Sequence, residues 1–95
     1  MPEINFQIQW PDGSEATCYS PSLVVKDYFV PQTEYPLEEF VQRSRTALEI
    51  ASDRVKAKYG MPCGMALRQL AQIESQAAQY THLTEPIVRF IRFLE

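Results

Sequence analysis

The feature that most constrains this chain is a change of hydrophobic period at Pro36. Ahead of it, Ile4, Phe6, Ile8 and Trp10 alternate with Asn5, Gln7 and Gln9. That period of two gives a strand one buried face. Behind it, Leu37, Phe40, Val41, Ser44, Ala47, Leu48, Ala51 and Val55 recur at three-and-four spacing, the stripe of an amphipathic helix. Strands followed by long helices segregate into layers, so the fold class is α+β.

The first strand, about residues 3–10, runs into Pro11-Asp12-Gly13. Proline presets φ, the Asp side chain bonds nearby backbone and glycine accepts a left-handed conformation, so a three-residue hairpin loop is expected. The return strand, about 14–20, puts Ala16 and Cys18 opposite Ile8 and Phe6. Ser20-Pro21 reads as a cap followed by proline at the first helical position, opening a short helical turn over 21–28. Residues 32–35 read as linker. The first long helix covers about 36–59, with Glu38 and Glu39 in its first turn and Arg54, Lys56 and Lys58 near its end, and Gly60 as the terminating glycine. A second, about 62–80, carries the stripe Cys63, Ala66, Leu67, Leu70, Ile73, Ala77 and Tyr80. The short connection makes the two antiparallel neighbours.

The segment from Pro86 to Leu94 admits two readings. As a helix it groups Ile87, Phe90, Ile91 and Leu94. As a strand it is rich in Ile, Val and Phe. An isolated hairpin is marginal and leaves both edges open, so a third strand over 86–94 is expected. The resulting architecture is one domain, 1–95: an N-terminal hairpin and a C-terminal strand in a small antiparallel sheet, packed on two helices.

Composition excludes several functions. A net charge of −3 has the wrong sign for a generic nucleic-acid binder. No apolar run approaches the ~20 residues of a membrane span, and the N-terminus has no signal-peptide pattern. A cytoplasmic location with both thiols, Cys18 and Cys63, reduced is the expectation.

Few residues point to chemistry. Cys63 stands at a predicted helix N-terminus, where the dipole favours thiolate. The plainer reading makes it a small apolar residue opening the core stripe. Cys18, Cys63 and His82 lack the local spacing of a metal site. Cys63 and His82 lie at opposite ends of the second helix, too far apart for a nucleophile pair. The three glycines make no phosphate loop. Tyr19, Tyr28, Phe29, Tyr35 and Tyr59 admit two readings: the lining of a ligand pocket, or, more commonly, a core rim with one of the five facing a partner. No catalytic constellation, cofactor site or metal site is indicated. Ile50 lies off the main stripe, on a face shared with Arg43 and Arg54. Arginine beside an apolar anchor is the composition interfaces favour. These three residues are the candidate interface for a homo-oligomer or a protein partner.

WPDG (Trp10 to Gly13), CYSPSLVVKDYF (Cys18 to Phe29), Tyr35-Pro36, EEFVQRSRTALEIASDRVKAKYG (Glu38 to Gly60) and Cys63 together carry a family likeness. On these stretches the chain resembles a small bacterial nitrogen starvation response protein family, encoded in nitrilase-associated gene clusters. The resemblance implies a cytoplasmic protein made under nitrogen limitation, beside enzymes of nitrile or cyanide assimilation. It also implies an extended C-terminal segment, and it brings no catalytic residues with it. Two functions compete. One is a non-catalytic accessory protein that binds a partner or itself. The other is a small-molecule binder or small enzyme using Cys63 in a pocket.

Overall fold

The computed structural model describes residues 3–95. Its elements are β1 (Ile4–Gln9), β2 (Glu15–Ser20), a 3-10 helix (Leu23–Asp27), β3 (Thr33–Pro36), α1 (Leu37–Tyr59), α2 (Gly64–Ala77), a 3-10 turn (Ala78–Tyr80) and β4 (Ile87–Leu94). The four strands form one antiparallel sheet in the order β2-β1-β4-β3. The α+β class, the hairpin and the C-terminal strand are as the sequence reading expects.

The hairpin register pairs Phe6 with Cys18 and Ile8 with Ala16. Trp10 N–H donates to the Ser14 carbonyl at 2.8 Å across the Pro11-Asp12-Gly13 loop, and Gly13 takes φ 93°. Asp12 Oδ1 accepts from the Ser14 amide (2.9 Å) and hydroxyl (2.6 Å). Those bonds hold its carboxyl below the usual range.

β4 settles the ambiguity of Pro86 to Leu94 by becoming a central strand between β1 and β3. Strict alternation from Val88 and Phe90 would send Arg92 into the core. A bulge prevents this. Gln7 pairs with Arg92 but Ile8 pairs with Phe90, so Ile91 is the extra residue and Phe93 turns inward opposite Phe6. The Ile91 carbonyl accepts from the Gln32 amide (3.2 Å) and from its side-chain Nε2 (3.0 Å).

That contact corrects the reading of 32–35 as linker. Residues 33–36 form β3, paired with β4 from Thr33↔Phe90 to Pro36↔Ile87. The strand has only four residues, and only Tyr35 points into the core. Pro36 sits where an edge strand tolerates proline. The pairing depends on a partner more than fifty residues away, which no local pattern reveals. A second correction concerns the short helix. Ser22, not Ser20, caps it, its Oγ accepting from Val24 N–H at 3.3 Å. Ser20 Oγ instead donates to the Ser22 carbonyl at 2.8 Å.

α1 buries Leu37, Phe40, Ser44, Ala47, Leu48 and Ala51 against the sheet and α2. It has no side-chain cap at its start; Leu37 N–H donates to the Pro86 carbonyl at 2.9 Å. Gly60 ends it at φ 85°, its N–H bonded to the Lys56 carbonyl at 2.7 Å. α2 begins at Gly64 rather than Pro62, with Cys63 as its cap residue, and continues past Ala77 as a 3-10 turn. Leu67, assigned to its buried stripe, is exposed. The helices run antiparallel, as Arg45–Glu74 (2.7 Å) and Ser52–Cys63 (3.2 Å) contacts require. The core is a single cluster centred on aromatic rings. Phe29 packs on Phe6, Tyr35, Phe40 and Phe90, and Trp10 stacks on Tyr80 and edges Phe40.

Candidate functional site

The structure places Cys63 half-buried at the cap of α2, its N–H donating to Ser52 Oγ at 3.2 Å. Its thiol lies close enough to Tyr19 to influence that phenol, which is pushed up to about 12 by burial first, then by a bond to Glu3 and by Cys63. Cys18 is buried on the inner face of β2, and burial raises its thiol to about 12. Both cysteines are free. His82 is exposed beyond the far end of α2, whose 14 residues alone span about 21 Å from Cys63. Among the described residues no three His, Cys, Asp or Glu side chains gather where they could hold a metal ion. The length of α2 keeps Cys63 and His82 apart.

The face of α1 that carries Ile50 is largely occupied within the chain. Arg43 bonds Glu39 Oε2 (2.9 Å) and the Tyr28 carbonyl (2.9 Å), and lies over the Tyr35 ring. Arg54 Nη1 donates to Ser22 Oγ at 3.2 Å. Both arginines therefore pin the segment from Ser22 to Tyr28 onto α1, and Ile50, on the same face, is half-buried. Of the five aromatics singled out, Phe29 and Tyr35 belong to the core. Tyr59 is the exposed one, at 63%.

Tyr59 belongs to a surface that the sequence reading passed over. The α1–α2 turn exposes Tyr59, Met61, Met65 and Leu67 (63, 72, 57 and 44%) within nine positions. Turns are ordinarily polar, so four large apolar side chains left in water within nine positions are unusual for a connection of this kind. Two methionines give it adaptable packing. From Arg54 to Ile73 the sequence has four cations (Arg54, Lys56, Lys58 and Arg68) and no acid. The signal available in the sequence was Met61-Pro62-Cys63-Gly64-Met65, apolar residues in a connection too short to bury them.

A concavity lies at the other end of the helix pair. It is an open groove of about 1100 Å³ between the first half of α1, the end of α2 and the Glu85–Ile87 segment. Leu37, Val41, Ala77, Pro86 and Ile87 form its apolar wall. Glu38, Glu85 and the Arg45–Glu74 pair form its rim. A smaller hollow of about 530 Å³ runs between β2 and α2. There Gln69 Oε1 accepts from the outward Tyr19 N–H at 3.1 Å and so covers part of the sheet edge.

A family model described as nitrogen starvation-induced protein NitG matches residues 5–93. The chain belongs to the NitG family. The match spans both ends of the helix pair and all four strands, so the apolar turn and the groove lie inside the NitG region. No curated protein and no solved structure matches the chain. NitG membership ties the protein to the response to nitrogen starvation. Among the described residues, no helix is long and apolar enough to cross a membrane.

Proposed function

We propose that this NitG-family protein is a non-catalytic accessory protein of the nitrogen-starvation response. It acts in the cytoplasm, beside the enzymes of a nitrilase-associated cluster, by docking on protein surfaces. The observation that carries this reading is the α1–α2 turn. Exposing Tyr59, Met61, Met65 and Leu67 to water forgoes burial worth roughly 1.5–3 kcal/mol for each large side chain, which docking recovers. None of the four belongs to the buried core cluster. The half-buried thiol of Cys63 supports the packing beneath the turn rather than a reaction.

The test is a photoreactive amino acid placed at Met61 in nitrogen-starved cells, with the same residue at Asp12 in the hairpin loop as control. Protein adducts are expected at Met61 and not at Asp12. A Met61 probe that yields no adduct above the control contradicts the reading.

A further inference from the structure

Charge on this chain is sorted by position. Residues 27–42 contain Asp27, Glu34, Glu38 and Glu39 and no Lys or Arg; residues 74–88 contain Glu74 and Glu85 and no Lys or Arg. These two stretches supply most of the groove. Residues 54–73 carry only cations and form the exposed turn with its flanks. The groove is thus apolar with an acidic rim, and the turn is apolar with a basic flank. Arg45, the one cation in the groove, is already paired with Glu74.

The two surfaces cannot meet within one molecule. α1 has 23 residues, about 34 Å of helix. The molecule measures 42 × 24 × 17 Å, so α1 must follow its long axis. The groove is built on the N-terminal half of α1 and the apolar turn follows its C-terminus. A rigid helix therefore separates them.

Resting on the reading of the turn as a docking surface, we infer that its occupant is the groove of a second copy of this chain, giving head-to-tail self-association. Met61 and Met65 enter the groove against Leu37, Val41 and Ile87, while Lys56 and Lys58 face Glu38 and Glu85. A volume of about 1100 Å³ exceeds most small-molecule pockets, roughly 300–1,000 Å³, and accepts several side chains together. The contact is heterologous, so each added copy offers a new turn and a new groove. Assembly continues into an open chain or closes into a ring rather than stopping at a two-fold dimer.

Charge reversal at each surface tests this by sedimentation velocity over a concentration series, with folding checked by circular dichroism. The wild type is expected to show a growing series of species that weakens with salt. Lys56→Glu/Lys58→Glu spoils the turn, and Glu38→Lys/Glu85→Lys spoils the groove. Like charges then face each other, so each variant alone should self-associate at least about a hundredfold more weakly. An equimolar mixture should recover association, because the intact turn of one variant meets the intact groove of the other. A wild type that stays monomeric throughout overturns the inference. So does a groove variant that assembles like wild type, which would indicate turn-to-turn pairing. Turn-dependent binding to anionic vesicles without self-association overturns it in favour of a membrane surface. In the photoreactive experiment, Met61 adducts solely to other proteins would refute self-association while leaving the docking role intact.

Discussion

Phe29 packs against four other aromatic rings, and its truncation has a calculable cost. The residue follows the 3-10 helix and is 2% exposed. Its ring centroid lies 4.8 Å from Phe90, 5.4 Å from both Tyr35 and Phe40, and 6.3 Å from Phe6. It therefore ties β1, β3, β4 and α1 together. Phe→Ala changes in cores cost about 3–5 kcal/mol. The aromatic pairs put Phe29→Ala toward the upper half of that range, about 4 kcal/mol. A chain of 95 residues has a total stability of roughly 5–14 kcal/mol. The variant should thus lose much of its margin and melt about 15–30 °C lower. Urea denaturation followed by fluorescence of Trp10, the only tryptophan, measures it directly. The next residue provides the control: Val30 is 61% exposed, and Val30→Ala should stay within about 0.5 kcal/mol of wild type. A Phe29→Ala loss below about 1.5 kcal/mol would refute the view that this segment is an interior element.

Four further outcomes follow from individual residues. Ser44 is buried on α1, and its Oγ has no partner among the described residues, so Ser44→Ala should be neutral or stabilise the fold by up to about 1 kcal/mol in the same urea assay. Gly60 and Gly64 both have open space around an added Cβ, but only Gly60 has positive φ, at 85°. Gly60→Ala should therefore cost about 1–2 kcal/mol, while Gly64→Ala should cost nothing measurable. Cys18 has its thiol raised from 9.0 to about 12 by burial; the unfolded chain releases that proton first, so stability should be intact below pH 9 and fall as pH rises from 9.0 toward about 12. Cys18→Ala should flatten that fall. The half-buried Tyr19 contributes less, because solvent screens it. Native-state alkylation should label Cys63 and spare Cys18.

What the sequence discloses here follows the range of each interaction. β1, β2 and α1 announce themselves because their patterns are local: an alternation, a Pro-Asp-Gly loop, a stripe ended by glycine. β3 does not, since Thr33 to Pro36 carry one core residue and pair with a strand near the other end of the chain. The bulge at Ile91 is visible only in hindsight, in the three-residue spacing between Phe90 and Phe93. The partners of the arginines are another feature the sequence does not disclose. Helical geometry correctly placed Ile50, Arg43 and Arg54 on one face, but the bonds from Arg43 to Tyr28 and from Arg54 to Ser22 depend on a segment whose path the sequence leaves open. The turn was legible as composition, but that its apolar side chains stay outside the core cluster is visible only in the structure.

The central claim is that this protein works through a docking surface and not through its half-buried thiol. The most direct measurement is complementation of a strain lacking the gene, with growth during nitrogen starvation as the readout. Met61→Glu/Met65→Glu and Cys63→Ala are compared, each first shown to be folded and present at wild-type level. The account predicts that Cys63→Ala restores growth and that the turn variant does not. Restoration by the turn variant together with failure of folded Cys63→Ala would contradict it.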